Sequence, residues 1–206
     1  MECDYSGISV VVFDFDGTLV DSNEIKNRAY YSIFPDDPVV VDVIAEVLTD
    51  SSAKSRYEII AEIYERLASI DSVQLTSTDA LVAEYSKHVL DATKNCQPFE
   101  CTEELLLGLS RHYHLYLSSL TPLEPLGEIV RYKQLSKYFR EIFGYPSKKE
   151  DTLRHLLKYH SVSQNELLVV GDGESDEESA SSIGCSFFKV TGNNSLKELQ
   201  DKLLNS

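Results

Sequence analysis

Hydrophobic residues along this chain follow two rhythms. Val10-Val11-Val12-Phe13 is a short unbroken apolar run, the pattern of a strand buried on both faces in the middle of a parallel sheet. Four later runs are also strand candidates: Leu115 to Ser119, Glu141 to Tyr145, Leu167 to Val170 and Ser186 to Val190. A helical stretch separates each from the next, which predicts right-handed βαβ crossovers and a parallel sheet. Between the first and second strands the rhythm changes. From Ser22 to Ile70 apolar residues recur at helical spacing, most clearly at Tyr57, Ile60, Ala61, Tyr64, Leu67 and Ala68.

Local signals place the helix ends. Ser22 is expected to cap a first helix through about Tyr31, and Pro35-Asp36-Asp37-Pro38 to break the chain with Pro38 near the start of a second. A third helix is expected over Ser55 to Ser69, and Thr76-Ser77-Thr78-Asp79 opens a fourth to about Lys94. The α/β rhythm resumes near Gln97-Pro98. Thr102 with Glu103 and Glu104 starts a helix whose acidic first turn suits the dipole, and Ser195-Leu196-Lys197-Glu198 reads as a capping box opening the last. The expected architecture is an α/β core with a doubly wound parallel sheet, residues 1–21 and 98–206, interrupted by a helical domain at 22–97.

Composition narrows the function classes. The 206 residues suffice for one sizeable core and a smaller appendage. Nineteen basic against 34 acidic residues give a net charge of −15, which argues against nucleic acid and anionic membranes as partners. An anionic substrate must then be met by local positive charge and a metal. Cys3, Cys96, Cys101 and Cys185 show no Cys-x-x-Cys spacing and read as free thiols in a reducing compartment. The N-terminus lacks a basic region followed by a long apolar one, and no apolar stretch approaches the roughly 20 residues that span a bilayer. The expectation is a cytoplasmic protein, monomeric or weakly dimeric.

The chemistry is expected at strand ends. The first strand stops abruptly at Asp14-Phe15-Asp16-Gly17-Thr18. In open α/β sheets, ligands bind outside the carboxyl ends of the strands. Two carboxylates there repel each other and lose hydration at the rim of an apolar core. A bound cation relieves both costs. At the end of the second core strand, Ser118-Ser119-Leu120-Thr121-Pro122 offers a hydroxyl and a following backbone N–H for phosphate oxygens, while Thr121 and Pro122 also read as a helix cap and first turn. Ser147 and Glu150 form a possible capping box that puts Lys148 and Lys149 in a first helical turn, where cations oppose the dipole unless an anion binds. Leu167-Leu168-Val169-Val170-Gly171-Asp172 again runs from a buried strand into Gly and Asp, with Asp176 four residues on.

Asp14-Phe15-Asp16-Gly17-Thr18-Leu19-Val20-Asp21-Ser22 resembles the first motif of the haloacid-dehalogenase-like (HAD) phosphatases. Leu115 to Pro122, Gly144 to Glu150 and Gly171 to Asp176 resemble the second, third and fourth, in the required order. The resemblance implies a Rossmann-like core with an inserted C1-type α-helical cap, as in the phosphoglycolate phosphatase and β-phosphoglucomutase-like branch. It implies that Asp14 is the nucleophile and Asp16 the acid/base. It implies that Ser119 (or Ser118) and Lys149 (or Lys148) neutralise the phosphoryl group, with Gly17, Thr18 and Leu120 around it. Asp14, Asp16, Asp172 and Asp176 are then the ligands of Mg²⁺. The implied substrate is a small phosphomonoester, hydrolysed through an aspartyl-phosphate. A phosphomutase shares every core residue, a dehalogenase is disfavoured by Asp16, and a non-catalytic binding module by the intact carboxylate set. In that branch a cap loop meets the substrate. Asp50-Ser51-Ser52-Ala53-Lys54-Ser55-Arg56 fits such a loop, with Arg56 expected to bind substrate, although a solvated linker explains it equally well.

Overall fold

The structure is a computed structural model that describes residues 5–49, 51, 54–70 and 73–204. Cys3, Asp50, Ser52 and Ala53, which carried expectations above, lie outside the described residues. By its internal contacts the chain divides into Met1–Asp21 with Gln97–Ser206, and Ser22–Cys96. No helix among the described residues is long and apolar enough to cross a membrane.

The first unit is a Rossmann-like, doubly wound α/β fold. Strands β1 (Val10–Phe13), β2 (His114–Pro122), β3 (Glu141–Tyr145), β4 (Leu167–Gly171) and β5 (Ser186–Lys189) form one sheet in the order β3-β2-β1-β4-β5. Every pairing is parallel. All four residues of β1 and all five of β4 are buried, which is why these central strands are continuous apolar runs rather than alternating ones. On one face Val10, Val12, Tyr116, Leu167 and Val169 pack with Leu153, Leu156 and Ala180. Leu153 and Leu156 come from helix α7 (Lys149–His160) and Ala180 from α8 (Glu174–Ile183). The strand order reverses between β1 and β4, so the ligand crevice of this topology opens at their carboxyl ends.

The described residues of the second unit form four helices: α1 (Asn23–Ile33), α2 (Pro38–Thr49), α3 (Arg56–Ala68) and α4 (Thr78–Asn95). They close on one core, to which Tyr30, Ile44, Ile60, Ile63, Leu67, Leu81 and Tyr85 contribute. Ser55 caps α3 as half of a complete capping box with Glu58, and Ser77 caps α4. Ser22 occupies the cap position of α1, but its side chain makes no capping hydrogen bond.

Three local expectations are corrected. Ser147 does not cap α7, because its N–H donates to Gly144 O and closes the preceding turn. The helix starts at Lys149 with Lys148 as its cap residue. Ser195 is not a cap either. Helix α9 (Asn193–Leu204) starts two residues earlier, and the Ser195 hydroxyl accepts from Thr191 N and donates to Gly192 O. Third, Thr121 and Pro122 do not open a helix. They extend β2 past a register irregularity between Ser118 and Pro122, and α6 begins at Leu123 (Leu123–Tyr132). Proline is tolerated in a sheet at such an irregularity.

Candidate active site

Asp14 follows the last residue of β1, and its N–H donates to Val170 O on β4, 2.8 Å away. Its carboxylate therefore emerges where the sheet reverses. Gly17 then takes φ +76°, a left-handed value that costs glycine little, and donates to Val20 O at 2.7 Å. The tight turn keeps Asp14, Asp16 and Thr18 together at the strand end.

Lys149, the first residue of α7, reaches this point from the other side of the crevice. It is 8% exposed, whereas Lys148 is exposed. Its Nζ donates to Asp14 Oδ1 at 3.0 Å and to Asp176 Oδ1 at 2.7 Å. One carboxylate oxygen from each of Asp14, Asp172 and Asp176 lies within 4.8 Å of the others. Gly171 explains part of this closeness, since a Cβ there would fall 2.3 Å from Asp176 Cγ. The glycine before Asp172 is thus the space that the second aspartate occupies.

The electrostatics follow from crowding under burial. Burial is the largest influence on Asp14 and raises its carboxyl to about 8; Lys149 pulls it down, and Asp176, Asp16 and Asp172 push it up. Asp176 is also raised, by burial first, with Lys149 opposing. For Lys149 burial disfavours the ammonium, but Asp14 and Asp176 outweigh it and raise its pKa. A single ammonium facing three clustered carboxylates leaves negative charge unbalanced. The donors are hard oxygens with no thiol or imidazole in the group, and such a set suits Mg²⁺ or Ca²⁺ rather than zinc.

The remaining expected residues sort by their partners. Thr18 is fully buried; its hydroxyl donates to Asp172 Oδ1 at 3.0 Å and accepts from Asp172 N at 3.1 Å, so it orients Asp172. Asp16 does not join the three-carboxylate group; its Oδ2 accepts from the Thr121 hydroxyl at 2.9 Å. Ser119 is buried and its hydroxyl accepts from Thr121 N at 3.1 Å. Ser118 is buried and Leu120 half-buried beside it. Thr121 is the residue that sequence reasoning passed over, because Pro122 made it look like a helix cap. Arg56 belongs to the helical unit. It is 6% exposed, its guanidinium lies 5.1 Å from the Tyr85 ring centroid, and it donates to Ser86 Oγ. Those contacts give it a packing role within its own unit.

The sequence model of the haloacid dehalogenase-like hydrolases matches residues 11–190. The chain belongs to that family. A curated phosphoglycolate phosphatase of Vibrio parahaemolyticus is 25% identical to this hydrolase over 201 residues, covering 89% of the chain and 84% of the relative. Among solved structures, a predicted phosphoglycolate phosphatase from Haemophilus somnus is similar at a TM-score of 0.74 and 18% identity, covering 91% of this chain and 87% of that one. The putative HAD-hydrolase YfnB from Bacillus subtilis, in a form bound to magnesium, is similar at 0.72 and 14%, covering 94% and 99%.

Proposed function

We propose that this HAD-like hydrolase is a phosphatase that cleaves a small phosphomonoester, with Asp14 as nucleophile. The observation that carries the reading is the placement of a buried carboxylate at the sheet's reversal point, 3.0 Å from a buried ammonium and beside two further aspartates. Phosphoryl transfer needs an in-line nucleophile, neutralisation of the phosphoryl oxygens and a proton for the leaving oxygen. Lys149 supplies positive charge next to Asp14. Asp16, two residues on, is the proton donor and then the base for water, and Ser119 is the hydroxyl for a phosphoryl oxygen.

Asp14, Asp172 and Asp176 would hold Mg²⁺, which when bound neutralises phosphoryl oxygens. Thr18 orients Asp172 for that task, and Gly171 leaves room for Asp176. The name of the Vibrio relative supports phosphoglycolate, or an ester of similar size, as the substrate class. The test is a screen of small phosphomonoesters for phosphate release, with Mg²⁺ and with EDTA. Metal-dependent release that Asp14→Asn abolishes is expected. Release of halide from a 2-haloacid, isomerisation of a sugar 1-phosphate without free phosphate, or no turnover would each overturn the reading.

A further inference from the structure

Thr121 is among the most deeply buried polar residues of the α/β unit, 3% exposed, and its hydroxyl donates to Asp16 Oδ2 at 2.9 Å. Three features hold it there. The irregularity in β2 between Ser118 and Pro122 carries the chain across the strand end. The Ser119 hydroxyl accepts the Thr121 N–H at 3.1 Å and fixes the backbone. On the neighbouring strand Gly144 allows close passage, because a Cβ there would meet Thr121 O at 2.7 Å and Leu123 N at 2.7 Å.

A carboxyl group that must deliver a proton has two oxygens, and only one faces the leaving group. A hydroxyl bonded to Oδ2 holds that oxygen in both charge states of Asp16, donating to the carboxylate and able to accept from the carboxyl. The bond therefore fixes the plane of the carboxyl group whichever of the two groups donates. We infer that Thr121 is a positioning residue that fixes the carboxyl plane of Asp16 and so aims its proton at the leaving oxygen. This rests on the proposed role of Asp16 as the acid. In the first step the Asp16 proton passes to the leaving oxygen as its bond to phosphorus breaks and the Asp14–phosphorus bond forms. In the second, the Asp16 carboxylate takes a proton from water as the water oxygen bonds to phosphorus and the Asp14–phosphorus bond breaks. Thr121 holds the same carboxyl oxygen in both steps.

The test compares leaving groups. p-Nitrophenolate leaves without a proton, whereas the alkoxide of phosphoglycolate needs one. The kcat/KM of Thr121→Val, Thr121→Ser and Asp16→Asn, which reports formation of the phospho-enzyme and not the hydrolysis step that both esters share, is measured on both esters with Mg²⁺, and thermal melts confirm folding. Thr121→Val is expected to lose about ten-fold more on phosphoglycolate than on p-nitrophenyl phosphate, the scale of one hydrogen bond aligned for proton transfer. KM should change little, and Thr121→Ser, which restores the hydroxyl, should recover most of the difference. Equal losses on both esters, no loss, or failure of Ser to rescue would overturn the role of Thr121. If Thr121→Val fails to fold, Thr121→Ala gives the same comparison against Thr121→Ser. Asp16→Asn separates the two levels of the inference. If its losses are also equal on both esters, the acid role itself is wrong. If Asp16→Asn discriminates and Thr121→Val does not, only Thr121 has been misassigned.

Discussion

A carboxylate placed where Asp14 sits resists ionisation. Burial raises its pKa from 3.8 to about 8, against the pull of Lys149. Without metal, the folded protein therefore holds a proton that the unfolded chain has released. The stability this contributes is fully present below the usual carboxylate value of 3.8 and is lost as pH rises towards 8. Asn mimics the protonated form, so in EDTA Asp14→Asn is expected to melt above the parent at pH 8, with the gap narrowing as pH falls and closing only near the unfolded value of 3.8. A lower melting temperature at pH 8 would show that Lys149 depends on Asp14 more than Asp14 is strained. Gly171 gives a second prediction at this scale. Gly171→Ala puts a methyl group 2.3 Å from Asp176 Cγ, so Asp176 must move. Overpacking of this kind costs about 1–3 kcal/mol. Weaker Mg²⁺ binding by calorimetry is expected alongside a lower urea midpoint, and unchanged Mg²⁺ affinity would contradict it. The sequence made Asp14, Asp172 and Asp176 visible because a buried apolar run ending in acid is costly. It hid Thr121, since a hydroxyl before proline has an ordinary explanation as a cap.

Elements were legible where periodicity and punctuation agreed. Helix α3 runs from Arg56 to Ala68 with Ser55 as its cap, inside the Ser55 to Ser69 that the apolar spacing predicted, and α2 begins at Pro38. Boundaries failed where a side chain had two local uses. Ser147 serves a turn instead of a helix cap, and Ser195 lies inside a helix that starts at Asn193. The alternative for Arg56 was between a substrate contact and a surface position, and its burial argues against the surface one. Arg56, 6% exposed with its guanidinium over Tyr85 and bonded to Ser86, is part of the helical unit's packing. Tyr85 in turn lies 4.4 Å from the Tyr30 ring, so the cation extends an aromatic pair. Cation–π contacts contribute about 0.5–2 kcal/mol and the buried stem adds its apolar area. Arg56→Ala is expected to lower unfolding stability by about 1–3 kcal/mol in urea. A change in kcat/KM with stability untouched would return Arg56 to the substrate.

At the scale of the whole molecule, topology was legible because five strand candidates separated by helices leave few arrangements. What periodicity does not carry is which strand neighbours which. The order β3-β2-β1-β4-β5 brings Asp14 and Asp172 together although 158 positions separate them, and α7 and α8 add Lys149 and Asp176. The chain's charge of −15 repels anions at long range, so attraction for a phosphoryl group rests on Lys149 and on a metal held by the carboxylates. The central claim is that Asp14 takes up the phosphoryl group, and trapping that group tests it most directly. Asp16→Asn protein, in which the second step is slowed, is mixed with a phosphomonoester carrying radiolabelled phosphate and Mg²⁺, quenched in acid and digested. The label should appear on the peptide containing Asp14, be removed by hydroxylamine as an acyl phosphate is, and be absent from the Asp14→Asn/Asp16→Asn double variant. Label that persists in the double variant, or phosphate release from parent and Asp16→Asn protein with no label on that peptide, would contradict the account.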